Sequence, residues 1–247
     1  MSNISGNIDL SSRSALVTGA SRGIGKALAL ALAGAGAHVI AVARTTGALE
    51  ELDDEIKSIG GSATLMPLDL RDFDKIDMIG PALAEKFKHL DIFIGNAGMI
   101  GTMSPLAHSD AKEWQTVMDV NVNANYRLIR TLDPLLRASQ AGRVIFTGSS
   151  TFNSPKAYWG SYRISKATLN MLALTYAAET ENTNMRVNIV HPGPVKTALL
   201  DKAYPGGYHE ADLLTPEDWV PLYLQLCSEH CKDHGELFEV ADLKKAA

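Results

Sequence analysis

Ser14-Ala15-Leu16-Val17-Thr18-Gly19-Ala20-Ser21-Arg22-Gly23-Ile24-Gly25 is the stretch whose reading decides the fold. A short apolar run, Ser14 to Thr18, ends in a glycine-rich turn and passes into an alanine- and leucine-rich stretch from Gly23 to about Ala35. The run is continuous rather than alternating, which suits a strand buried on both faces of a parallel sheet. Glycines let the turn tighten and let a ligand approach the backbone closely. The N-terminus of the helix that follows presents free N–H groups and a partial positive charge. Gly19, Ser21, Arg22, Gly23, Ile24 and Gly25 are therefore the candidate residues for holding a pyrophosphate. The spacing is G-x-x-x-G-x-G, not the G-x-G-x-x-G of the general dinucleotide fingerprint. A bare strand-to-helix turn that binds nothing would look similar; its place at the first such junction of an alternating chain favours the nucleotide.

The alternation runs outward from there. Further strands are expected at His38–Ala43, Ala63–Leu68, Leu90–Ile94, Arg143–Thr147 and Arg186–His191, with a short last one at Glu236–Val240. Helices are expected at Thr46–Ser58, Phe73–Lys88, Asp110–Arg137 and Ser161–Asn182. Another helix starts near Thr215-Pro216, with Thr215 as N-cap and the proline at the first helical position. Strand–helix alternation along the whole chain predicts an α/β fold, a doubly wound Rossmann-like parallel sheet with helices on both faces. No linker, repeat or low-complexity stretch interrupts it, so residues 1–247 are expected to form a single domain. The irregular stretch 195–214, with Tyr204-Pro-Gly-Gly-Tyr208, is expected to be a mobile substrate lid.

Composition narrows the function. The 247 residues are 46% hydrophobic and 21% charged, with a net charge of -5. That balance offers no broad basic face for a nucleic-acid backbone, so no nucleic-acid partner is expected. Cys227 and Cys231 are the two cysteines, too few for a disulfide framework and suited to a reducing compartment. No apolar run is long enough to span a bilayer, and Met1–Leu10 lacks a signal-peptide core. A soluble, cytoplasmic protein with no membrane partner is the expectation.

The second strand ends in Ala43-Arg44-Thr45-Thr46, and the first carboxylate after it is Glu50. An acidic side chain at that point holds the adenosine ribose hydroxyls of NAD. A cation stands there instead, and Arg22 in the glycine-rich turn is a second one on the same side. Both suit a 2′-phosphate, which predicts NADP(H). Tyr162 and Lys166 lie four apart at the start of a long helical stretch, so they share a face. A nearby ammonium favours a phenolate, and the pair is a candidate acid/base device with an expected lowered tyrosine pKa. Ser149 stands thirteen residues earlier, just beyond the strand Arg143–Thr147, where parallel sheets build their sites. Its hydroxyl could donate to a substrate carbonyl. Ser150 is an equal candidate from sequence.

Taken together, these segments resemble the short-chain dehydrogenase/reductase family, in its branch of roughly 250-residue subunits, along nearly the whole chain. Thr18–Gly25 is similar to the family's T-G-x-x-x-G-x-G loop. Asp69 matches the acidic residue that holds the adenine amino group, and Asn96-Ala97-Gly98 the end of the N-N-A-G motif. Asn121, in Val120-Asn121-Val122, matches the catalytic asparagine, and Ser149, Tyr162 and Lys166 the catalytic serine, tyrosine and lysine. Pro192, Gly193, Val195 and Thr197 fall in the segment that contacts the nicotinamide end. The resemblance implies hydride transfer between nicotinamide and a small-molecule carbonyl or alcohol. Tyr162 would be the proton donor or acceptor, Lys166 the ribose ligand, Ser149 the carbonyl polariser, and Asn121 the holder of a relay water. It also implies a homodimer or homotetramer paired through the two long helices.

The chain departs from the family pattern at four places. Gly95 replaces the first asparagine of N-N-A-G, Ala124 a common glycine, and His191 the asparagine of N-P-G. The C-terminal D-G-G is missing. Cys227, His230, Cys231 and His234 would share one face of a continuous helix, but the spacing matches zinc patterns loosely and no metal is expected. Trp114 and Trp219 read as packing residues, whereas Trp159 is close enough to Tyr162 to face a pocket. A nucleotide-binding sensor or scaffold without turnover is the alternative, and the complete set Asn121, Ser149, Tyr162 and Lys166 argues against it. Substrate identity stays open, between a 3-oxoacyl thioester and small ketones, sugars or polyols.

Overall fold

Side-chain alternation explains why the inner strands are largely apolar: their two faces feed two cores. In β1 (Ser14–Thr18), Ala15 and Val17 point to one side of the sheet and Leu16 to the other. In β2 (His38–Ala43), Val39 and Ala41 join the first core and Ile40 and Val42 the second. The computed structural model describes residues 8–149, 155–209 and 213–246. After α1 (Gly23–Gly34) and α2 (Thr46–Ser58) come β3 (Ser62–Pro67), α3 (Phe73–Asp77), α4 (Ile79–Ala84) and β4 (Ile92–Gly95). Next are α5 (Ala111–Met118), α6 (Ala124–Ala138), β5 (Arg143–Thr147), α7 (Gly160–Thr180) and β6 (Arg186–Val190). The chain closes with α8 (Ala198–Ala203), α9 (Val220–Cys227), β7 (Leu237–Phe238) and α10 (Val240–Ala246).

The strands form one seven-stranded sheet in the order β3-β2-β1-β4-β5-β6-β7, and every pairing is parallel. The expected doubly wound α/β sheet is what forms. Leu28 and Leu32 of α1 and Leu222 and Leu226 of α9 fill one face. Leu128 and Leu132 of α6 and Leu169 and Ala173 of α7 fill the other. The order reverses between β1 and β4, which opens a crevice at the carboxyl ends of those strands.

Several expected elements differ in detail. Phe73–Lys88 is two short helices, because Thr131 of α6 inserts between them. Its Oγ1 donates to the Asp77 carbonyl at 2.9 Å and accepts from the Gly80 N–H at 3.0 Å, taking both groups out of a helical ladder. The long segment Asp110–Arg137 is α5 and α6 joined by a π-turn, Asp119–Asn123, with Asp110 as a side-chain N-cap. Thr215 does not cap by accepting; it donates through its N–H and Oγ1 to Asp218 Oδ2 at 2.7 and 3.0 Å. The last strand is only Leu237–Phe238, and α10 follows where no helix was expected. The stretch 195–214 holds α8, and its base is closed by a Val195–Leu214 bridge and by Lys196 N–H donating to Leu214 O at 2.9 Å.

Candidate active site

The glycine-rich turn and the Asn96-Ala97-Gly98 segment are sewn together by Thr18. Its hydroxyl accepts from the N–H groups of Asn96 and Ala97, each at 3.0 Å, and its carbonyl accepts from Asn96 Nδ2 at 2.9 Å. Gly19 has φ +67°, and a Cβ there would lie 3.0 Å from Ala97 Cα. At Gly25 a Cβ would overlap the Gly19 carbonyl. Only glycine allows the strand, the turn and the helix to approach this closely. Gly23, at φ +55°, meets Thr197, whose Cγ2 would be 3.2 Å from a Cβ. The segment after β6 therefore closes on the turn, bringing buried Val195 and half-buried Thr197 with it. Ile24 packs into the first core and Ser21 sits half-buried on the turn. Helix α1 has no side-chain cap at its N-terminus, so its first N–H groups remain for a ligand.

Arg22 and Arg44 stand beside this turn. Val42 pairs with Thr18, so the residues that follow β1 and β2 emerge at the same edge. Both arginines are exposed, and neither has a carboxylate partner among the described residues. Asp69 lies near enough to feel the charge of Arg44, but its partner is Arg71. The Arg71 guanidinium grips both carboxylate oxygens, at 3.0 Å from Nε and 2.6 Å from Nη2, and holds Asp69 below its usual range. Arg71 escaped the sequence reading; an arginine two residues after the candidate aspartate was the available signal.

Tyr162 and Lys166 occupy consecutive turns at the start of α7, and both are buried. Lys166 Nζ donates to the carbonyl of Thr147, the last residue of β5, at 2.7 Å. Ser149, two residues beyond, is buried and hydrogen-bonded to the Tyr162 side chain. Ser149 is thus the serine brought to the tyrosine; Ser150 lies outside the described residues. The electrostatics differ from the sequence expectation. In the polypeptide itself, burial raises the Tyr162 pKa, and the bond to Ser149 opposes this only in part. Burial also brings Lys166 down from 10.5 to about 8. Desolvation disfavours both charged forms and is the largest cause of both shifts.

Asn121 sits in the π-turn with its side chain fully engaged. Its Oδ1 accepts from Met99 N–H at 2.8 Å, and its Nδ2 donates to Met99 O at 2.9 Å and to Ser165 Oγ at 2.8 Å. Gly98 lies between it and the lysine: a Cβ there would be 3.4 Å from Lys166 Nζ and 3.6 Å from Asn121 Oδ1. The asparagine side chain is therefore a brace for the Gly98–Met99 backbone.

The departures also find physical explanations. At Gly95 a side chain would meet Asn125 Oδ1 at 2.6 Å and the Phe146 ring at 2.7 Å, so those residues fill the place of the missing asparagine. His191 is buried, 3.2 Å from Asn170 Oδ1 through Nε2 and 3.5 Å from Glu239 through Nδ1. Pro192 is buried, Gly193 takes φ +65°, and Val240 of α10 lies beside that glycine. Cys227, His230, Cys231 and His234 do not lie on one continuous helix, because α9 ends at Cys227. His234 instead accepts from Val187 N–H and contacts the Ala177 carbonyl.

The family model for short chain dehydrogenases matches residues 13–206. The oxidoreductase YciK of Escherichia coli K12 is 36% identical over 224 residues, covering 89% of this chain and 88% of that protein. The structure of yciK from E. coli superposes with a TM-score of 0.90 at 34% identity, covering 97% of this chain and 99% of that one. A short chain dehydrogenase from E. coli CFT073, complexed with NADPH, gives a TM-score of 0.89 at 34% identity over 95% and 98% of the two chains.

Proposed function

The chain belongs to the short-chain dehydrogenase/reductase family of oxidoreductases, and from that premise we propose that it is an NADP(H)-dependent enzyme acting on a carbonyl or secondary alcohol. The observation that carries this reading is the convergence at the end of β5: Ser149 bonded to Tyr162, and Lys166 bonded to Thr147. The cradle fits a dinucleotide, because α1 is uncapped, Gly25 leaves no room for a side chain, and Arg22 and Arg44 have no carboxylate partner among the described residues. The E. coli CFT073 neighbour carries NADPH in such a fold. Gly19 to Gly25 would hold the pyrophosphate, Arg22 and Arg44 the 2′-phosphate, and Asp69 with Asn96–Gly98 the adenosine half. Pro192, Gly193, Val195 and Thr197 would border the nicotinamide half. Bound NADP(H) would supply or accept the hydride.

The chain's own groups handle the proton. Tyr162 gives its hydroxyl proton to the carbonyl oxygen in reduction and recovers one from the alcohol in oxidation. Ser149 polarises that oxygen, and Lys166 holds a ribose hydroxyl and stabilises the phenolate. Asn121 keeps the Gly98–Met99 backbone in place beside Lys166. One domain carries all of this, with residues 195–214 as the lid, in a cytoplasmic homo-oligomer.

Fluorescence titration with NADPH and NADH tests the assignment. NADPH is expected to bind more tightly, and Arg44→Ala to remove the preference. Equal affinities for the two in the unaltered protein would overturn the 2′-phosphate reading.

A further inference from the structure

Around Tyr162 lies a patch of apolar and aromatic side chains outside the two main cores. Ile100, Tyr162 and Ala203 are buried together, with Met103, Trp159 and Tyr204 half-buried against them. The ring centroids of Trp159 and Tyr162 are 6.1 Å apart, those of Trp159 and Tyr204 5.7 Å, and those of Tyr204 and Tyr208 4.8 Å. These rings come from two segments, the start of α7 and the stretch beyond α8. A bridge between Ser104 and Trp159 fixes the position of the first.

Lys156 lies over this patch. Its Nζ is 4.7 Å from the Trp159 ring centroid and 5.3 Å from that of Tyr204, and it donates to the Tyr204 hydroxyl at 3.1 Å. Lys26, Lys57 and Lys75 each hold a carboxylate, at 2.7, 2.6 and 2.7 Å. Lys156 has no such partner among the described residues, where its contacts are the neutral Trp159 and Tyr204 side chains. An ammonium held by ring faces is positioned but keeps its full charge and two more donors. The turn that presents it is strained: Tyr158 adopts φ +72°, in the left-handed region that a bulky residue avoids. Such strain persists where the surroundings enforce a particular presentation. The cation therefore stands one ring further out than the group assigned to proton transfer, across an apolar wall.

We propose that Lys156, with Trp159 and Tyr204, selects substrates in which the reacting carbonyl or alcohol is followed by an apolar, ring-sized body and then by a carboxylate. The carboxylate would meet the Lys156 ammonium, the body would lie against the two rings, and the carbonyl would reach Tyr162. This deepens the reading of Tyr162 as the acid/base group and rests on it.

The test uses the full chain saturated with NADPH and two probes of equal size, 4-acetylbenzoate and 4-acetylbenzamide. Binding is read by tryptophan fluorescence and turnover by NADPH oxidation. The carboxylate is expected to bind about tenfold more tightly than the amide. That ratio is expected to fall to about one in Lys156→Met and to persist in Lys156→Arg, which keeps the charge. NADPH titration of each variant checks its fold. Equal binding of the two probes, no binding of either, or a ratio that survives Lys156→Met would overturn the proposal. Equal turnover of both probes would remove the anion site and leave the oxidoreductase standing. A carboxylate preference without NADPH oxidation would do the reverse.

Discussion

Lys166 holds a charge where the fold offers it one carbonyl, that of Thr147, and little water. Its pKa falls from 10.5 to about 8 through burial. Between those two values the unfolded chain binds more protons than the folded one, so folding gains as pH rises across the window; below about 8 the cost is present in full. In the cofactor-free protein, Lys166→Met escapes this cost. Its stability advantage over the unaltered chain is therefore expected to shrink by about 2 kcal/mol between pH ~7.5 and ~9.5 in chemical denaturation. Parallel pH curves for the two proteins would show that the ammonium is not desolvated. Tyr162 leads to a kinetic expectation. Tyr162→Phe removes only the hydroxyl, and kcat is expected to drop about a thousandfold in stopped-flow or steady-state assays, while NADPH still binds. Because burial raises the proton affinity of Tyr162, alcohol oxidation should speed up with rising pH and carbonyl reduction should not. A variant retaining near-normal kcat would remove Tyr162 from the chemistry.

Elements set by their own sequence were legible, and those set by distant partners were not. The limits of β2, α2 and β5 match the reading of buried runs and amphipathic spacing residue for residue. The break between α3 and α4 depends on Thr131, and the space at Gly95 depends on Asn125 and Phe146, all far along the chain. The π-turn at Asp119–Asn123 left no mark on the apolar pattern, because one extra residue in a turn alters the periodicity less than sequence noise does. Its effect on the site is large: it places Asn121 where a single buried side chain makes three bonds, to Met99 N–H, Met99 O and Ser165 Oγ. Asn121→Ala takes the side-chain partner from the Met99 N–H and carbonyl, while Ser165 Oγ keeps its bond to the Tyr162 carbonyl, and is expected to cost about 2 kcal/mol of stability in denaturant titration. If its role is that of a brace, Asn121→Asp should recover part of the loss through the Met99 N–H alone. A fully stable Asn121→Ala protein would mean that the turn is held by other contacts.

At the scale of the molecule, the site needs no element of unusual stability; it needs β1, β4, β5 and β6 to end at one edge. The alternating pattern in the sequence carried that edge, and the resemblance to the short-chain dehydrogenase/reductase family implied which residues, from Gly19 to Thr197, meet there. What lies on the outside of the helices is harder to read, since an apolar residue there fits either chance exposure or a partner. On α7, Ile164, Met171 and Leu174 recur at helical spacing on the side away from the sheet, and Tyr126 is exposed on α6. Met171, 63% exposed, stands in the middle of that stripe. If two copies pair through it about a two-fold axis, each substitution enters the interface twice. Met171→Glu then sets two carboxylates into an apolar contact and is expected to weaken self-association by more than about tenfold. Sedimentation velocity over a concentration series would show a dimer or tetramer for the unaltered chain and a shift toward monomer for the variant. The same assembly for both proteins would place the subunit contact elsewhere, and a monomer at every concentration for both would leave the α7 stripe as ordinary exposed surface.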